Sequence, residues 1–140
     1  MNEGIMDKAA ELMLNLCETL SGWESSVAKL GRLSVPQLKA LCVIGRHRDV
    51  RMKDVADRLK LTTGTVTVMI DRLQSMGLVK RIRSEMDRRS YQLALTEQGQ
   101  AVFNEHDRRQ NDMLRRLFAR MEPEDLDGFM RGARALLRAL

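Results

Sequence analysis

The sequence is poor in the residues that build redox, metal or cofactor chemistry. It has two cysteines in 140 residues, Cys17 and Cys42, which match no metal-ligand spacing and are too few for a disulfide scaffold. Its two histidines, His47 and His106, lie in different helical regions without cysteine or carboxylate partners at such a spacing, so no metal is expected. No glycine-rich phosphate loop follows a strand, and no Ser, His and Asp arrangement can be pointed to. The expectation is a protein that is not an enzyme and carries no cofactor. No apolar run reaches the length of a bilayer span, and Met1-Asn2-Glu3-Gly4 carries no basic leader. A cytoplasmic protein with no membrane partner is therefore expected. Only five aromatics accompany 44% apolar residues, so the core has to be built from Leu, Met, Val and Ala, which favours helix. No low-complexity linker and no internal repeat interrupt the chain.

Basic charge is present in excess, and it is segregated. The formal net charge of +5 divides into −3 over residues 1–30 (two basic, five acidic), +7 over 31–100 (fourteen and seven) and +1 over 101–140 (eight and seven). A polyanion binds such a segment by releasing its condensed counterions, so the middle of the chain is the expected contact with DNA.

That middle contains the most informative pattern. Val66, Met69, Ile70 and Leu73 recur at helical spacing, while Thr63, Thr65, Thr67 and Arg72 fall largely on other faces. Thr62 or Thr63 can cap the first turn, and Gly77 stands where a left-handed residue ends a helix, with Leu78 set against Leu73. Before it, Met52, Val55, Ala56 and Leu59 form a shorter helical stripe that turns through Lys60-Leu61. Small Ala56 permits a close crossing, and Val55, Leu59, Leu61, Val66 and Met69 would share one core. This is the pattern of a helix-turn-helix whose second helix enters the major groove. The period then becomes extended: Leu78 to Arg83 and Ser90 to Leu95 read as two strands joined by Ser84-Glu85-Met86-Asp87-Arg88-Arg89, a ribbon with a basic tip.

In these residues the chain resembles the MarR family of winged helix-turn-helix transcription regulators. The resemblance rests on Asp71-Arg72-Leu73, Gly77-Leu78-Val79, Arg81, Asp87-Arg88-Arg89 and Leu95-Thr96-Glu97-Gln98-Gly99, in the family's order and near its spacing. It implies a mainly α fold with a small β-wing, flanked by N- and C-terminal dimerisation helices. It also implies that Arg89 reaches a minor groove and that Asp87 braces it. The residues expected to meet DNA are Thr62, Thr63, Thr65, Thr67 and Arg72 on the helix, with Arg81, Arg83, Arg88 and Arg89 on the ribbon. Many relatives place a basic residue just after the recognition-helix threonine, where this chain has Val68.

The flanking segments carry more apolar surface than a winged domain can cover. Ile5, Ala9, Leu12, Met13, Leu16, Cys17, Leu20, Trp23, Val27 and Leu30 form one long stripe before Ser34 and Pro36 start a second helix through Leu38, Leu41, Cys42 and Ile44. After the wing, Thr96 can cap a helix carrying Val102, Phe103, Met113, Leu114, Leu117 and Phe118. Pro123, Glu124 and Asp125 open a last one along Leu126, Phe129, Met130, Ala133, Leu136, Leu137 and Leu140. The chain thus divides into a dimerisation helix (1–33), a winged segment (34–96) and closing helices (97–140) within one compact domain. A homodimer would bury the stripes and present two recognition helices to a pseudo-palindromic operator in double-stranded DNA.

The resemblance further implies a repressor released from DNA by a small aromatic or apolar effector, for which Met13, Trp23 and His47 could line a pocket, although such a stripe is more often ordinary core. Cys17 lies roughly where hydroperoxide-sensing relatives carry a reactive thiol, so an oxidative-stress regulator of the same fold is an alternative. Activation needs donors or positive charge nearby, and with no tyrosine in the first ninety residues a buried, inert Cys17 is expected. A different class is a winged protein-interaction module that does not read DNA.

Overall fold

The structure, a computed structural model, describes residues 2–30, 32–85, 87 and 89–140, with the side chains of all of these but 25 and 27–30. Among the described residues six helices and two strands run in the order α1 (Glu3–Leu30), α2 (Val35–Arg46), α3 (Met52–Leu59), α4 (Thr63–Ser75), β1 (Val79–Arg83), β2 (Tyr91–Leu95), α5 (Glu97–Phe118) and α6 (Pro123–Ala139). The chain forms two compact units, Met1–Phe103 and Asn104–Leu140.

The core of the first unit draws on every element around the helix-turn-helix. Leu38, Leu41 and Ile44 from α2, Val55 and Ala56 from α3, Val66, Met69, Ile70 and Leu73 from α4 and Val79 and Leu93 from the strands are all buried. Leu41, Ile70, Leu73, Val55, Val66 and Val79 have almost no exposed surface, so the helical stripe expected on α4 is the one that packs. Leu61 departs from its expected place in that core and is 37% exposed. The reason is local: Lys60 ends α3 in a left-handed conformation (φ 55°), and the Leu61 amide donates to the Ala56 carbonyl at 3.0 Å, so the chain turns there.

The helix ends are fixed by short-range hydrogen bonds. Ser34 and Gln37 form a reciprocal capping box on α2: the Gln37 amide donates to Ser34 Oγ, and the Ser34 amide to Gln37 Oε1. Although α3 has no Ser or Thr cap, the Asp54 carboxylate accepts from the Arg51 amide at 2.8 Å and closes the first turn. The Thr62 hydroxyl accepts from the Thr65 amide at the start of α4. At its end Gly77 takes φ 73°, the Leu78 amide reaches the Leu73 carbonyl at 3.0 Å and the Gly77 amide the Gln74 carbonyl at 2.9 Å, a complete Schellman ending.

The two strands pair antiparallel, with Val79 opposite Leu95, Arg81 opposite Leu93 and Arg83 opposite Tyr91. A single bridge between Val50 and Leu93, whose amide donates to the Val50 carbonyl at 2.7 Å, attaches the segment before α3 to the ribbon. The exit from β2 is tied back to the turn that ends α4. Thr96 Oγ1 donates to the Gly77 carbonyl and accepts from the Gly99 amide at 3.0 Å, while its own amide donates to the Leu78 carbonyl at 3.1 Å. A Cβ on Gly99 would overlap the Leu78 carbonyl, so only glycine lets α5 start this close.

Outside that core the apolar stripes lie open. On α1, Ile5, Leu12, Met13 and Leu16 are exposed; Val27 and Leu30, counted in the same stripe, lie outside the described side chains. In the second unit α6 buries no residue, although Phe129 packs against Phe118 with ring centroids 5.5 Å apart and the planes tilted by 42°. No helix among the described residues is long and apolar enough to cross a membrane.

Candidate nucleic-acid interface

Opposite its buried stripe, α4 presents Thr63, Thr65, Thr67, Val68 and Arg72, all exposed. The hydroxyls of Thr65 and Thr67 already have local partners. Thr62 Oγ1 and Thr65 Oγ1 share a hydrogen bond of 2.9 Å, and Thr67 Oγ1 donates to the Thr63 carbonyl at 2.8 Å. These bonds restrict the rotamers of Thr65 and Thr67 and leave their methyl groups and remaining lone pairs unused. Val68, where many relatives carry a basic residue, is 69% exposed and adds two methyl groups to the same surface.

The ribbon supplies the charge. Lys80, Arg83 and Arg89 are exposed. Arg88, expected to join them, lies outside the described residues. The tip is organised by Asp87, whose carboxylate accepts from the Arg89 amide at 3.0 Å while its carbonyl accepts from the Ser90 amide at 3.1 Å. The aspartate therefore braces the backbone that carries Arg89. The Ser84 amide donates to the Ser90 carbonyl at 3.0 Å and carries the ladder one step past the strands.

Arg81 is placed differently from Arg83 and Arg89. Its guanidinium donates to Asp71 at 2.5 Å and to Gln74 at 2.8 Å, both on α4, and its side chain is 29% exposed.

Met13, Trp23 and His47 are the residues expected at an effector pocket. Met13 and Trp23 lie ten positions apart on α1, about 15 Å along the axis; Met13 and His47 are exposed and Trp23 is half-buried. The buried Cys17 expected from the sequence is corrected: Cys17 is exposed in the single chain, because it lies on the apolar stripe of α1, whose neighbours Met13, Leu14 and Leu16 are exposed as well, and Cys42 is the buried thiol. Neither cysteine is in a disulfide. On α5, hydrogen bonds from Arg109 and then Arg108 hold the Glu105 carboxyl below its usual range. All three side chains are solvated, as on an ordinary charged helix face. Among the described residues no three His, Cys, Asp or Glu side chains are disposed to hold a metal ion.

Comparison with known proteins agrees with this geometry. A model of the MarR family matches residues 33–91, from just before α2 to the start of β2. The HTH-type transcriptional regulator YfiV of Bacillus subtilis is 32% identical over 108 residues, which are 77% of this chain and 68% of that protein. The organic hydroperoxide resistance transcriptional regulator of the same bacterium is 39% identical over 67 residues, 48% of this chain and 46% of that one, so the match spans about half of each. Among solved structures, Streptococcus pneumoniae FabT in complex with DNA superposes with a TM-score of 0.85 at 26% identity, covering 95% of both chains. A MarR family protein from Bacillus stearothermophilus reaches 0.90 at 22% identity over 99% of this chain and 97% of that one, a likeness of fold. With the family model lying on the helix-turn-helix and ribbon, and a relative matched over most of the chain, this protein belongs to the MarR family of winged helix-turn-helix transcription regulators.

Proposed function

We propose that this chain is a cytoplasmic, homodimeric repressor, without catalytic activity, that reads a pseudo-palindromic operator by seating α4 in the major groove and the wing tip in the adjacent minor groove. The observation that carries the reading is the division of α4. Val66, Met69, Ile70 and Leu73 are buried, and the opposite face offers short threonines and Val68 beside the arginine-bearing ribbon. Threonine and valine methyls suit thymine methyl groups, while Arg83 and Arg89 supply the charge that binding to phosphate or a narrow groove requires. The DNA-bound relative FabT supports the same use of the fold. Dimerisation is supported by the open apolar stripes on α1 and α6. Release by a small aromatic or apolar effector rests on the family resemblance. Since Met13 and Trp23 are separated along α1, a pocket containing both would take the second subunit to close it.

The test is binding to a mixed-sequence duplex as salt is varied. A DNA-binding wing predicts that log K falls linearly with log salt, by about 0.9 for each phosphate neutralised. Binding that is absent at low salt, or indifferent to salt, would reject the reading in favour of a protein-interaction module.

Cys17, a thiol in no disulfide that its own subunit leaves uncovered, carries a second reading within the family, a thiol-based regulator of the oxidative-stress kind, provided the dimer leaves it open. It predicts that hydroperoxide releases the wild type and the Cys42→Ser variant from DNA but leaves Cys17→Ser bound. An identical peroxide response in all three would reject it.

A further inference from the structure

Arg81 stands on β1 opposite Leu93, on the same ribbon face as buried Val79 and exposed Arg83. Its side chain meets the last turns of α4, whereas Arg83 lies two residues, about 7 Å, further toward the tip. Asp71 and Gln74, three positions apart on one face of α4, accept from the two ends of the guanidinium, through Nη2 and Nη1 respectively. A planar fork held by two acceptors on a rigid helix has little freedom to rotate.

We propose that Arg81 is a positioning residue that sets the angle of the wing against the recognition helix through Asp71 and Gln74, and that it is not a phosphate contact. The inference rests on the DNA-binding reading above. The ribbon leaves α4 through the Gly77 turn. Five paired residues give the ribbon a length of about 17 Å. A tilt of roughly 10° at its base would therefore move the tip by about 3 Å, the length of a hydrogen bond. The clamp opposes that tilt, in addition to the Thr96 contacts with Gly77 and Leu78 at the ribbon's base. It also neutralises Asp71, an acid that would otherwise present an unpaired negative charge on the outer side of the recognition helix.

The experiment measures affinity and salt slope on a mixed-sequence duplex for the wild type, Arg81→Lys, Asp71→Asn and the double variant, with a thermal melt of each. Lysine keeps the charge but cannot span both acceptors, so Arg81→Lys is expected to weaken binding about five- to twentyfold, as for loss of a partly exposed ion pair in both subunits, with an unchanged salt slope. Asp71→Asn should weaken binding similarly although it removes a charge that DNA repels, and the double variant should be no worse than either single one. Wild-type affinity for Arg81→Lys, with tighter binding by Asp71→Asn, would overturn the clamp and make Arg81 a phosphate contact. Losses that multiply in the double variant, or that follow a lowered melting temperature, would overturn it as well. A wild type that binds no duplex removes the DNA-binding reading and the clamp together, whereas a wild type that binds with any of the contrary patterns removes the clamp alone.

Discussion

Replacing Arg89 by alanine is expected to weaken binding to nearly every duplex sequence, by about 1.5–3 kcal/mol per subunit for a charged hydrogen-bonding group, and to reduce the salt slope by about one per subunit. The side chain is long, permanently charged and exposed at the wing tip, and its backbone is held by the Asp87 carboxylate. An arginine in that position gains most where the minor groove is narrow, so the preference for A·T flanks should decline in the same variant. Mutants of the helix should fail differently. Thr67→Ala removes a methyl and a hydroxyl whose rotamer is set by the Thr63 carbonyl, and should change which central half-site base is preferred by about 1–3 kcal/mol with the salt slope nearly intact. Asp87→Ala releases the Arg89 amide and should copy part of the Arg89→Ala defect, even though simple electrostatics favours losing a negative charge near DNA. Affinities and slopes from salt titrations of the three variants decide the matter. Tighter binding by Asp87→Ala at every salt concentration would show that the wing aspartate is only a repulsive charge.

The second large effect is expected from Leu136→Glu combined with Leu137→Glu. Both side chains are open to solvent in the single chain, at 50% and 74% exposure, so two carboxylates there should leave the fold of one subunit undisturbed. If α6 belongs to a subunit interface, the same carboxylates would be buried without partners, and the dimer should dissociate. A monomer engages one half-site at a time and loses the effective concentration of the second recognition helix, so operator affinity should fall by about 10²–10⁴. Light scattering and binding to a selected palindromic site measure the two consequences. A variant that remains dimeric would place the interface elsewhere, and a monomer that binds as tightly as the wild type would remove the two-fold reading of the operator.

How much of this was present in the amino-acid order can be judged residue by residue. Val66, Met69, Ile70 and Leu73 pack as their helical period requires, because that period puts all four on one face whatever surrounds the helix. Gly77 is left-handed and Leu78 closes on Leu73, since a helix ending is decided by the few residues that form it. The strands and the Thr96 cap are of the same kind, each resting on residues close in sequence. Even the start of α3, which lacks a Ser or Thr cap, had a local signal in Asp54 three positions after Arg51.

The features that tertiary structure alone decided join residues far apart in the chain. Leu93 meets Val50, Thr96 meets the Gly77 carbonyl, and Arg81 takes Asp71 and Gln74 from the helix before it, so the sequence could mark Arg81 as basic without showing where its charge is used. Burial is non-local for the same reason. Leu61 and Cys17 lie in apolar patterns that suit a core, yet both are exposed, because a period specifies which side of an element is apolar and only the packing of other elements determines whether anything covers it.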